Sequence, residues 1–136
     1  MAVVKELLRS EKDGSLSFGN YELTEKTKLK DFEHQGDVYY VKTFGEITKL
    51  EKNGSFLYES EPGTAVTNFA ESDEGVSFTV DGKEDAQITV GLAENAAYQT
   101  TVDGKDAGVV ETGMSGKLTI SVEFTGTPVQ VEIKKA

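Results

Sequence analysis

Lys117-Leu118-Thr119-Ile120-Ser121-Val122-Glu123-Phe124 alternates polar and apolar residues over eight positions without a break. That is the period of a β-strand with one face in a core. Leu118, Ile120, Val122 and Phe124 fall on one side, and Thr119, Ser121 and Glu123 on the other. A one-residue slip would turn the whole apolar set to water, so the register is strongly specified. After Thr125-Gly126-Thr127-Pro128 the same alternation resumes as Val129, Val131 and Ile133 against Gln130, Glu132 and Lys134. The expectation is that the chain ends in an antiparallel pair made of these two strands.

Working outward, turn signals recur at short intervals: Asp13-Gly14, Gln35-Gly36-Asp37, Asn53-Gly54, Pro62-Gly63, Glu74-Gly75, Asp81-Gly82, Asp103-Gly104 and Ser115-Gly116. Asn-Gly and Asp-Gly pairs supply the positive φ angles of tight hairpins, and spacings of about 10 residues suit a sandwich or barrel. Between the turns, strands are expected near Val4–Arg9, Leu16–Leu23, Leu29–Glu33, Val38–Phe44, Glu46–Lys52, Phe56–Glu59, Ala65–Phe69, Val76–Val80, Ala86–Val90, Tyr98–Val102, Gly108–Glu111, Lys117–Phe124 and Val129–Ile133. Short helices at Val3–Arg9 or Leu92–Ala97 are alternatives for those segments. The fold class expected is all-β: an antiparallel β-sandwich, with an immunoglobulin-like block over residues 62–136 and additional hairpins over 1–61. The chain reads as one all-β domain, with Ser60-Glu61-Pro62-Gly63 as the one candidate subdivision.

Two strands depart from simple alternation. Val38-Tyr39-Tyr40-Val41 carries apolar side chains on both faces, and so does Phe56-Leu57-Tyr58. Both faces of such a strand want cover, either from a second layer or from a partner. Tyr39, Tyr40, Phe56 and Tyr58 are therefore the candidate interface residues.

With 136 residues the chain has enough core to fold without a metal or disulfide, and it contains no cysteine. Thiol nucleophiles, disulfide frameworks and zinc–thiolate sites are excluded. Fourteen basic residues against 24 acidic ones give a net charge of -10, which opposes nucleic acid and anionic membranes as partners. The first residues meet Lys5 and Glu6 before an apolar run reaches signal-peptide length, so a cytoplasmic protein is expected.

Catalytic constellations are scarce. The single histidine, His34, lies in a turn beside Glu33 and Asp37 and is expected to face solvent. There is no Gly-x-Ser-x-Gly elbow, and one histidine does not make a histidine metal site. Gly116-Lys117 imitates the end of a phosphate loop, but Glu111 and Leu118 occupy positions that need glycine and a hydroxyl. Glu59 and Glu61 share a face of one extended segment, the raw material of a glycosidase pair. Acidic loops carrying Glu71, Asp73 and Glu74, Glu84 and Asp85, and Asp103 and Asp106 would supply calcium with hard oxygen ligands if they met at one end of a sandwich. No cofactor is expected.

Tyr98-Gln99-Thr100-Thr101-Val102-Asp103-Gly104-Lys105, followed by Thr112-Gly113-Met114-Ser115-Gly116-Lys117-Leu118-Thr119-Ile120-Ser121-Val122, resembles the closing strands of accessory β-sandwich modules on polysaccharide-processing enzymes. The chain as a whole is similar to short bacterial proteins of unassigned role that sometimes carry the name endosialidase. The first resemblance implies a glycan as ligand; the second implies action on polysialic acid. Gripping the carboxylates of such a polymer calls for arginine forks, and Arg9 is the one arginine present. The reading favoured by the residues is a non-catalytic structural, assembly or protein-interaction subunit whose partner is another protein or a second copy of itself. A glycan-binding module and a carboxylate-dependent glycosidase are the alternatives.

Overall fold

The computed structural model describes residues 3–136. Thirteen strands run through them: β1 (Leu8–Ser10), β2 (Leu16–Phe18), β3 (Thr27–His34), β4 (Asp37–Phe44), β5 (Ile47–Lys52), β6 (Ser55–Glu61), β7 (Ala65–Ser72), β8 (Gly75–Asp81), β9 (Ala86–Gly91), β10 (Ala97–Val102), β11 (Lys105–Glu111), β12 (Lys117–Val122) and β13 (Val129–Lys135). They form two antiparallel sheets, β1-β2-β7-β8-β13-β10-β11 and β12-β9-β6-β5-β4-β3, which pack their apolar faces into one core. The molecule is an all-β sandwich. Neither short helix forms. Residues 3–7 are irregular before β1, and the 92–96 segment spends its backbone on the facing loop: Leu92 N–H donates to Gly116 O at 2.6 Å and Asn95 N–H to Gly113 O at 2.7 Å. The helical turn among the described residues is a 3-10 turn, Gly113–Ser115.

The expected pairing of the last two strands is wrong, although their alternation is right. Leu118 and Val122 of β12, and Val129, Val131 and Ile133 of β13, are all buried. Yet β12 pairs with β9, while β13 lies between β8 and β10 in the other sheet. The two strands lie in opposite sheets. Alternation says which side of a strand meets oil, not which sheet it joins, and the 123–128 link is long enough to cross the roughly 10 Å between layers.

Residues 1–61 do not form a layer of their own either. β2 pairs with β7 and β6 with β9, so both sheets mix strands from either side of Pro62. Successive strands reverse direction, and their connections alternate between two ends. The links at 35–36, 53–54, 73–74, 92–96 and 112–116 lie at one end, called the top here; those at 45–46, 62–64, 82–85, 103–104 and 123–128 lie at the bottom.

The centre of the core is aromatic. Tyr58 meets Phe18, Phe69 and Phe78 edge-on at centroid distances of 5.1, 6.2 and 5.8 Å, and Phe69 stacks on Phe78 at 5.5 Å. The Tyr58 hydroxyl does not go unpaired. It lies 2.8 Å from Thr64 Oγ1, which is 2.7 Å from Ser60 Oγ. Alongside, Thr48 Oγ1 donates to Thr64 O at 2.8 Å, accepts Thr64 N–H at 3.1 Å and touches Thr43 Oγ1 at 2.8 Å. Every buried side-chain polar atom among the described residues has such a partner. Burial in this apolar setting drives the Tyr58 pKa well above the ordinary tyrosine value, with Thr64 and Ser60 pulling slightly the other way.

Candidate functional site

A sandwich has two flanks where its sheets end, and here the flanks differ. On one, β1 and β3 are stitched together by His34. Its Nε2 lies 3.0 Å from the Gly14 carbonyl, which can only accept, and its Nδ1 lies 2.8 Å from Ser10 Oγ. His34 is buried, not solvent-facing, because the Asp13-Gly14 turn folds over it, a long-range contact that its neighbours in sequence do not announce. Beside it, the Glu11 carboxylate accepts from Ser17 Oγ and from Arg9 Nε, the latter at 3.0 Å. These bonds, with burial opposing, hold its pKa below the ordinary 4.5. The hydroxyl and backbone N–H of Ser15 do the same for Asp13.

A lowered folded-state pKa stabilises the fold above the unfolded value, and that contribution is lost as pH falls through the folded one. Urea midpoints measured from pH 7 down to pH 3 are therefore expected to fall more steeply for the wild type than for Glu11→Gln, with the divergence beginning below about pH 5. Parallel curves would mean that Glu11 does not anchor this flank.

On the opposite flank the 92–96 and 112–116 links close the top, but among the described residues no side-chain hydrogen bond joins β11 to β12. A strand at a sheet edge offers unpaired N–H and C=O groups to other chains, and natural edges are shortened, bulged or charged to prevent this. Three of the four edges here are blunted. β1 has three residues; β3 is bulged between Leu29 and Phe32, with Asp31 at φ 59; β11 is bulged opposite Thr100 and Thr101, with Gly108 at φ 97. Of the three edges longer than β1, β12 alone keeps an uninterrupted register, from Lys117↔Gly91 to Val122↔Ala86. Its inward side chain Ile120 is only half-buried, while Leu118 and Val122 on either side are sealed. Met114, at the head of this flank, is 85% exposed.

A cleft crosses the top between the sheets. A wider part of about 700 Å³ lies towards β12, with Phe56, Leu57, Leu92, Tyr98 and Lys117 in its wall; a narrower part of about 360 Å³ lies towards His34 and Tyr39. Lys52 from β5 reaches Glu71 from β7 at 3.1 Å, with Asp37 at 3.7 Å, and this ion pair spans the sheets where the two parts meet. Burial works against the Lys52 charge, but the hydrogen bond and charge of Glu71, then Tyr39 and Asp37, hold its pKa above the ordinary lysine value. Burial first, and then Glu71 and Asp37, raise Tyr39, with Lys52 opposing.

The four candidate interface residues separate into two pairs. Tyr39 and Tyr58 are core side chains, 6% and 0% exposed, and offer no contact surface. Tyr58 is inside together with Leu57 because a bulge between Leu50 and Glu51 inserts Leu57 into β6, which shifts the alternation and produces the two-sided look of Phe56-Leu57-Tyr58. Tyr40 and Phe56 stay on the outer face, in one row. Glu51 stands between them, paired with both, and Gly91 leads on to Lys117. Gly91 has no side chain to intervene, so the Lys117 ammonium sits 4.4 Å from the Phe56 ring centroid.

The acidic loops do not converge. Asp73 and Glu74 are at the top, whereas Glu84, Asp85 and Asp103 are at the bottom, because each hairpin reverses the chain. Asp103 accepts the Gln130 N–H at 2.9 Å and Asp106 the Gly108 N–H at 2.7 Å, so these carboxylates hold turns. No group of three or more metal-ligating side chains is assembled among the described residues. Glu59 and Glu61 lie along the outer side of β6, outside both parts of the cleft.

No family model, curated protein or solved structure matches this chain. The site is therefore defined by geometry: a sealed flank, an open flank, and a cleft at the top that runs between them. Sequence reasoning missed the β12 edge because alternation alone does not reveal whether a strand has one neighbour or two.

Proposed function

We propose that this protein is a non-catalytic assembly module that docks through the free edge of β12 by adding a strand to its six-stranded sheet. The observation that carries the reading is the contrast among the four edges: β12 alone is long and unbulged, and its central inward side chain is incompletely covered. Docking there would use the backbone for affinity and Ile120 for an apolar anchor. The half-buried Phe56 and Tyr40 lie in a row on the outer face, which runs away from the edge. Displaced carboxylate pKa values favour no acid catalyst, since those of Glu11 and Asp13 are both lowered by structural hydrogen bonds. A glycan module would work through the top cleft, where Tyr98 is buried and Phe56 lies under a lysine, which leaves little flat aromatic surface for a sugar ring.

The test is a photoreactive side chain placed at Thr119 on the β12 edge and, separately, at Lys30 on the bulged β3 edge, irradiated in cells. Adducts of discrete mass from position 119 and none from position 30 are expected. An absence of adducts at 119, or equal labelling at the two edges, would overturn the reading.

A further inference from the structure

We infer that the partner of the β12 edge is a second copy of this chain, paired antiparallel about a two-fold axis that passes beside Ile120. The inference rests on the edge-docking reading above and names its occupant. In an antiparallel pair, opposed residues share a face of the sheet, and in a two-fold pair one residue must oppose itself. Centred on Ile120, the pairs are Ile120 with Ile120, Leu118 with Val122, Thr119 with Ser121, and Lys117 with Glu123. Apolar meets apolar on the inner face, hydroxyl meets hydroxyl on the outer face, and a cation meets an anion twice, once on each side of the axis.

Neighbouring registers lose this complementarity. Centring on Thr119 sets Lys117 against Ser121 and Glu123 against Ser115; centring on Ser121 sets Lys117 against Thr125 and Glu123 against Thr119. Lys117 and Glu123 are both exposed, and neither belongs to an ion pair among the described residues. Burial keeps alternating past the end of β12, with Val122 buried, Glu123 exposed and Phe124 half-buried, so the strand is ready to extend by the residue that the pairing needs. Ile120 is the one inward side chain of β12 left half-covered, and the partner's Ile120 arrives there. The net charge of -10 on each copy opposes association, but at physiological ionic strength repulsion is screened beyond about 8 Å. The charged side chains carried by β12 and the residue that extends it are Lys117 and Glu123.

The test is sedimentation equilibrium of the full chain from roughly 1 μM to 0.5 mM, a range that resolves dissociation constants up to the sub-millimolar. A reversible monomer–dimer equilibrium is expected. Lys117→Glu and Glu123→Lys should each weaken the dimer at least ~10-fold, since each sets like charges opposite one another at two symmetric places. The double variant should return to within about threefold of the wild type. Both side chains are exposed, and cooperative monomer melting, lowered for Lys117→Glu by no more than its lost contact with Phe56, would confirm that each variant folds. A wild type that stays monomeric throughout, or a dimer that the single changes leave intact or the double change fails to restore, would overturn the inference. The outcomes also separate the two proposals: a monomer whose Thr119 position still captures a protein of another mass sinks self-pairing and leaves edge docking standing.

Discussion

Tyr58→Ala is expected to cost about 3–5 kcal/mol, the range for emptying a large aromatic site in a close-packed core. The ring touches three phenylalanines from the opposite sheet, so its loss opens a cavity where the two layers are keyed together. The hydroxyl has a separate and smaller effect. In Tyr58→Phe, Thr64 Oγ1 still has Ser60 Oγ at 2.7 Å, and the loss should be about 1 kcal/mol. In Thr64→Val, both Tyr58 and Ser60 lose their partner at once, and about 2–3 kcal/mol is expected. Urea unfolding at neutral pH should rank Tyr58→Ala as the costliest, Thr64→Val next and Tyr58→Phe as the mildest. Equal costs for Tyr58→Phe and Thr64→Val would mean that the hydroxyls do not share one network.

Gly75→Ala should be about as severe, for a different reason. Gly75 opens β8 at φ 146, opposite Lys134 of β13, and a Cβ there would overlap the Ile133 carbonyl oxygen while lying 2.9 Å from its carbon and 3.1 Å from Lys134 Cα. These are backbone atoms of the strand between β8 and β10, which has no room to retreat. A loss of about 3 kcal/mol or more is expected, the upper range for overpacking. Gly104→Ala supplies the control. Gly104 also has a positive φ, 77°, but a Cβ on it meets nothing within 4 Å. Its cost should stay at the roughly 1–2 kcal/mol of left-handed backbone strain alone. If the two substitutions cost the same, crowding against β13 is not what fixes Gly75.

Much of this architecture was legible in the residues. The alternation at Lys117–Phe124 and Val129–Ile133 correctly placed Leu118, Val122, Val131 and Ile133 inside, and the Gly-containing turns marked where strands end. Pairing was less legible, since an inward-facing strand satisfies its pattern in either sheet. The interface candidates failed halfway for a local reason: a single inserted residue, Leu57, makes a bulged core strand look like a strand with two apolar faces. Tyr39 and Tyr40, by contrast, alternate normally, one inside and one on a half-covered outer row. His34 was misplaced because its burial comes from Ser10 and Gly14, more than 19 residues away, which local polarity does not report. Which edges are blunt depends on bulges in β3 and β11, and these appear only once strands have neighbours.

The histidine seam between β1 and β3 also sets a limit on growth. A body that could be extended along both borders would add copies without end, as fibre-forming proteins do. Under the proposed docking, with one border held by His34 and the other bare, each molecule would have a single valence, and any array it joined would stop where that valence was spent.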